Sequence, residues 1–172
     1  LIGIAASNGK MVKFKEDDVR SMGRTAVGVR GISLADDNYV VGVTTSLEGE
    51  LILALTTNGY GKMSASVDYR LTKRGSKGVT TIKASEKVGN LMGIRAVKGD
   101  EDIFLITEAG IVIRISLEQV SVLGRNTQGV KVINLKRNET LSSFAIVDKS
   151  DECEEEDSQP ADEEQIEVEE LE

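Results

Sequence analysis

"LILALTTNGYGKM" (residues 51–63) reads as two apolar runs on either side of Asn58-Gly59, a dipeptide suited to the positive φ angles of a tight hairpin turn. The stretch has two partners in the chain. "LIGIAASNGKMVKF" (1–14) turns at Asn8-Gly9, and "IFLITEAGIVIRI" (103–115) turns at Ala109-Gly110. The three glycines stand 50 and 51 residues apart. The same interval separates Arg24, Arg74 and Arg125, the pairs Gly28-Val29, Gly78-Val79 and Gly129-Val130, and Ile32, Ile82 and Ile133. Four features on one period define an internal repeat, with units at 1–50, 51–101 and 102–148.

After the hairpin each unit runs through a polar connection, such as "KEDDVRSMGR" (15–24) or "SLEQVSVLGR" (116–125). Two more apolar runs follow: "AVGVRGISL" and "YVVGVTT", "GVTTIKA" and "LMGIRAV", "GVKVINL" and "SSFAIV". Val, Ile and Thr dominate these runs, and no long amphipathic helix interrupts them. Four short strands per fifty residues predict an all-β fold, a partial propeller or pinwheel of three four-stranded blades. Propellers close with four to eight blades, and three leave strand edges open. About half of the disc is therefore expected to lie outside this chain.

Charge divides the 172 residues in two. All 21 Lys and Arg fall in 1–149 beside 16 acids, leaving +5 there, while 150–172 carry 13 acids and no base. The closing run "SDECEEEDSQPADEEQIEVEELE" is too polar to bury itself, so 149–172 is expected to be a disordered acidic tail. Tethered beside a basic domain, it would compete with any polyanion for the same surface. The single cysteine, Cys153, sits in that run and permits no intrachain disulfide. No apolar run is long enough for a membrane span, and no signal-peptide pattern is present. The chain opens at Leu1 inside an apolar run, as a fragment of a longer protein would.

The basic residues follow the repeat. Around the periodic arginine the loops read "MGRTAVGV", "KRGSKGV" and "LGRNTQGV". A lone arginine there would serve to cap a strand or pair with an acid. Three in one register should face the same way in a radial fold. Arg30 and Lys131 share a second register, with Thr80 between them, and Lys13 and Arg114 share a third, with Met63 between them. Lys73 and Lys77 make the middle loop the most basic, and Lys62 and Arg70 flank it. A curved cationic edge suits a phosphate backbone, and Gly75 and Gly78 would let N–H groups approach phosphate. Aromatic residues make up only 3% with no Trp, which disfavours base stacking and favours duplex DNA held by its backbone.

With "TTNGYGKM" (56–63), "TKRGSKGV" (72–79) and "LGRNTQGVKVI" (123–133), residues 1–148 resemble the C-terminal domain of the gyrase A chain of bacterial DNA gyrase. That resemblance implies a six-bladed β-pinwheel whose blades share strands with their neighbours and whose basic perimeter wraps duplex DNA for ATP-dependent negative supercoiling. It also implies a cytoplasmic, nucleoid-associated protein, partnered by the rest of the gyrase A chain and through it by gyrase B. The family's Gln-Arg-Arg-Gly-Gly-Lys-Gly box is absent; "TKRGSKG" keeps Arg74, Gly75, Lys77 and Gly78 and departs at Thr72, Lys73 and Ser76. The expected DNA contacts are Lys13, Arg24, Arg30, Lys62, Arg70, Lys73, Arg74, Lys77, Arg114, Arg125 and Lys131. The alternatives are the related chain of topoisomerase IV and a protein-interaction propeller.

Catalysis finds little support. There is no histidine, so no His-based triad or His metal ligand can form. "TTNGYGKM" lacks the first glycine and the closing Ser/Thr of a phosphate loop. The carboxylates of "GDEDI" and "ADDN" read as solvated turns. In the family the DNA-cleaving tyrosine belongs to an earlier domain, so Tyr39, Tyr60 and Tyr69 receive no such role. No cofactor and no metal are expected.

Overall fold

The computed structural model describes residues 1–149; the acidic tail lies outside the described residues. The first repeat supplies β1 (Ile2–Ala6), β2 (Lys10–Phe14) and β3 (Val40–Thr45). The second supplies β4 (Leu51–Thr56), β5 (Tyr60–Ala65), β6 (Val79–Thr80) and β7 (Leu91–Val97). The third supplies β8 (Asp102–Thr107), β9 (Val112–Ser116), β10 (Val130–Lys131) and β11 (Leu141–Val147). The polar connection begins each time with a 3-10 turn, at Glu16–Asp18, Ser66–Asp68 and Leu117–Gln119.

The strands form three antiparallel sheets in the orders β3-β1-β2-β6, β10-β5-β4-β7 and β11-β8-β9. The fold is the expected three-bladed all-β array, but blade and repeat are not the same object. The short outer strand of each four-stranded sheet comes from the following repeat: β6 pairs with β2, and β10 pairs with β5. Among the described residues β9 receives no such strand, so the third sheet has three. At the other end, residues 20–31 of the first repeat form no strand, and Val27 is fully exposed.

The hairpins form where the glycines predicted them, with a different turn. Asn8 and Asn58 keep negative φ, and only Gly9, Gly59 and Gly110 are left-handed, at +77°, +78° and +80°. The N–H of Gly9 donates to Ala6 O at 3.0 Å, and Asn8 Oδ1 accepts from Lys10 N–H instead. Glycine closes a three-residue loop here, where a two-residue turn would need both central residues left-handed.

The core lies between the sheets. Ala5, Met11, Ile52, Tyr69, Ile82 and Leu91 fill the gap between the first and second. Leu53, Leu55, Met63, Leu105, Leu117 and Leu141 fill the gap between the second and third. Both faces of β4 are covered, which accounts for its unbroken "LILAL". Each Leu, Ile or Met among them contributes about 1.5–3 kcal/mol on burial, so the blades are held by their faces as well as by the shared strands.

A Cβ on Gly9 would lie 2.3 Å from the carbonyl oxygen of Ile82, whereas one on Gly110 would meet nothing within 4 Å. Gly110→Ala should cost about 1–2 kcal/mol from the left-handed backbone alone. Gly9→Ala should cost at least about 3 kcal/mol, because strain and a backbone collision add. Urea unfolding at low protein concentration measures both; equal losses would contradict the close approach.

Candidate nucleic-acid interface

The loop between Tyr69 and Val79 is fixed to the first repeat at several points. Thr72 N–H donates to Lys13 O at 2.7 Å, Gly75 N–H donates to Gly31 O at 2.7 Å, and Ser76 O accepts from Ser33 N–H at 2.9 Å. So anchored, the loop holds Arg70, Lys73 and Lys77 around one shallow depression, with Ser76 and Gly78 also on its wall. A second depression shares Lys73 and is bordered by Arg74 and Asp18. Arg70, Lys73 and Lys77 are exposed and make no hydrogen bond or ion pair among the described residues. Three uncompensated cations on a rigid concave surface focus a positive potential there.

Gly75 and Gly78 do not act as expected. The Gly75 N–H already has its carbonyl partner, and a Cβ on Gly78 would lie 2.5 Å from Met11 O. Gly75 seats the loop on residues 30–31 and Gly78 seats it on β2, and the Gly75 N–H is thereby taken from any anion.

The periodic arginine also receives a different account. Arg74 Nη1 donates to Arg30 O at 2.6 Å and its Nε donates to Asp18 O at 3.2 Å. Arg125 Nη1 donates to Thr80 O at 3.1 Å. Arg30 and Thr80 are themselves 50 residues apart. The guanidinium thus joins each repeat to the same carbonyl of the repeat before it. Arg24, whose carbonyl would belong to a preceding repeat, is exposed and makes no such bond among the described residues.

Three further candidates are held by protein groups. Lys13 Nζ donates to Ser66 O at 2.6 Å and to Ser66 Oγ at 3.0 Å, and desolvation lowers its pKa. Arg114 Nε pairs with Asp102 Oδ2 at 2.7 Å. Lys62 is a correction to the expected surface contact: its side chain is fully buried, and Nζ donates to Gly124 O at 2.7 Å. Burial, then the Arg125 charge, brings the Lys62 pKa down to about 8, and Asp68 opposes the shift. Arg30 and Lys131 are exposed and without a side-chain partner among the described residues.

Six of the eleven candidates therefore remain open to a ligand: Arg24, Arg30, Arg70, Lys73, Lys77 and Lys131. The sequence reading missed Arg20, which is exposed and shares the register of Arg70 at an interval of 50 residues. The same periodicity would have found it. It also missed the carbonyls of Arg30 and Thr80, which no side-chain pattern reveals.

A family model described as "DNA gyrase C-terminal domain, beta-propeller" matches residues 4–46, 50–98 and 101–148. The chain is 51% identical over 143 residues to the gyrase A chain of Ureaplasma parvum serovar 3, covering 83% of this chain and 17% of that one. It is 39% identical over 158 residues to the gyrase A chain of Staphylococcus aureus, covering 91% of this chain and 18% of that one. A solved structure of a DNA gyrase A C-terminal domain superposes with a TM-score of 0.78 at 28% identity, over 85% of this chain and 50% of that one. The C-terminal domain of a DNA topoisomerase IV shares the fold, with a TM-score of 0.79 at 22% identity over 86% of this chain and 46% of that one.

Arg125→Ala and Arg74→Ala should each lower unfolding free energy by about 1–2 kcal/mol, since each removes a charged donor from a carbonyl. Arg24→Ala should change it by less than about 0.5 kcal/mol. Chemical denaturation compares them.

Lys62 makes stability depend on pH. Its pKa is about 8 when folded against an ordinary 10.5, so within that window only the unfolded chain binds the proton. Stability should therefore rise with pH there, by at most about 1.4 kcal/mol per unit. Burial raises the Tyr69 pKa to about 12 from 10.0, so above pH 10 the folded chain keeps a proton the unfolded one loses, and stability falls. Lys62→Met should remove most of the rise, leaving the smaller share of Lys13, and keep the fall, read from denaturation midpoints between pH 7 and 12.

Proposed function

Because the chain belongs to the DNA gyrase C-terminal domain family, β-propeller in form, we propose that it binds and wraps duplex DNA as a non-catalytic module of a type II topoisomerase. The two curated relatives described above are gyrase A chains, and the chain spans 17–18% of their length. The supercoiling reaction, ATP use and pairing with gyrase B belong to the whole enzyme, in which this part would supply a track for the duplex.

The observation that carries the reading is the anchored loop with Arg70, Lys73 and Lys77 around one depression, free of carboxylate partners among the described residues. Arg24, Arg30 and Lys131 are further contacts, and Arg74, Arg125, Lys13, Lys62 and Arg114 keep the surface in shape. Cations without planar stacking partners read the phosphate backbone and leave the base edges unread, so binding is tolerant of sequence. The acidic tail, with 13 carboxylates on the same chain, would moderate the grip.

Gel shift of random-sequence linear duplex across a salt series tests this. Log affinity should fall by about 0.9 per phosphate contact for each log unit of salt. Replacing Arg70, Lys73 and Lys77 together by Glu should weaken binding on every duplex alike and flatten the salt slope by roughly 2–3. Salt-independent binding, or a loss confined to some sequences, would count against a backbone track.

A further inference from the structure

Asn8-Gly9 and Asn58-Gly59 are the two Asn-Gly pairs of this sequence, and they stand at equivalent hairpin turns. The pair is chemically labile, because a glycine without Cβ lets its nitrogen reach the side-chain amide before it. Both asparagines are half-buried, and both glycine N–H groups donate within the turn, to Ala6 O at 3.0 Å and Thr56 O at 3.1 Å. Exposure and turn geometry therefore do not separate them. Each turn also has its neighbours in place. Thr57–Gly59 meets Glu86, Lys87 and Asn90 of its own repeat and Ile133 and Leu141 of the next. Ser7–Gly9 meets Tyr39 of its own repeat and Ile82 and Leu91 of the next.

The side-chain amides differ. Asn58 Nδ2 donates to Glu86 O at 3.0 Å and to Lys87 O at 3.2 Å. In the first repeat the facing turn is one residue shorter, since Ser7 N–H pairs with Tyr39 O where Thr57 N–H pairs with Asn90 O. Asn38 takes the carbonyls of that shorter turn itself, its Nδ2 donating to Asp36 O at 3.0 Å and Ala35 O at 3.4 Å. Asn8 Nδ2 makes no hydrogen bond among the described residues. Asn8 Oδ1 accepts from Lys10 N–H at 3.2 Å, whereas Asn58 Oδ1 accepts only the Thr57 hydroxyl at 3.4 Å.

We propose that Asn8 is a site of spontaneous deamidation, that Asn58 is protected from it, and that the isoaspartyl product loosens the joint between the first two sheets. The Gly9 nitrogen loses its proton to solvent hydroxide and bonds to Asn8 Cγ. The Cγ–Nδ2 bond breaks, Nδ2 takes a proton from water and departs as ammonia, and a succinimide remains. Water then opens the ring to aspartate or isoaspartate, with no oxidant or cofactor. During attack negative charge builds on Oδ1, the atom that Lys10 N–H already serves. Asn58 must first give up the two hydrogen bonds that hold its leaving nitrogen. Isoaspartate routes the main chain through the former side chain and lengthens it by one atom directly before Gly9. Gly9 O accepts from Thr81 N–H at 2.8 Å, and a Cβ on Gly9 would lie 2.3 Å from Ile82 O. A longer chain at that point displaces a contact with no slack.

Peptide mapping by mass spectrometry, with isoaspartyl methylation as a second readout, follows both sites in the full chain aged in mildly alkaline buffer. The same ageing in concentrated urea sets the reference ratio of the two rates without the fold. Folding should shift that ratio toward Asn8 by at least about tenfold. Ageing should also lower the urea midpoint of the parent in step with its isoaspartate content. Asn8→Gln, compared with its own fresh sample, should keep its midpoint. A ratio unchanged by folding, a folded chain in which Asn8 stays intact, preferential loss at Asn58, or a midpoint indifferent to isoaspartate content would each overturn the proposal.

Discussion

The seating of one short segment on the sheet before it governs this molecule. A crossing segment that contributes only two strand residues must bring its backbone close to a neighbouring hairpin, and glycine on both sides is what permits it. The hairpin glycine turns the chain and clears space for the carbonyl of Ile82 or Ile133; the crossing glycine clears space for that of Met11 or Gly61. With the segment seated, Ile82 is fully buried and Val79 nearly so. The inter-sheet core and the shared strand then stabilise each other.

This constraint also sorts the cations. A loop that joins two repeats needs its carbonyls satisfied, and the periodic arginine does so, Arg74 on Arg30 O and Arg125 on Thr80 O. Cations of other registers stay outside the joints. The result is a rigid loop whose shape depends on one set of positive charges while another set faces solvent. For the DNA binding proposed above an anchored backbone would matter, because the loop itself would lose less conformational entropy on binding.

Lys62 shows the cost of adjoining such a joint. Its ammonium satisfies the Gly124 carbonyl but sits out of water and near the Arg125 charge, so its proton is weakly held. Val12 and Ile113 occupy its register, an apolar hint of an inward position, but nothing in the period shows the Gly124 carbonyl that receives the ammonium.

The sequence by itself determined the number of repeats, the hairpins at Gly9, Gly59 and Gly110, the all-β class and the separation of basic domain from acidic tail. Periodic glycines and apolar runs are local signals, and local signals survive in one dimension. Only the tertiary structure decided that each sheet borrows a strand from the next repeat, that Arg74 and Arg125 are joints, and that Lys62 is buried. Those facts turn on carbonyl oxygens and on neighbours about fifty residues away, and a backbone acceptor has the same appearance in a sequence whether or not a guanidinium reaches it.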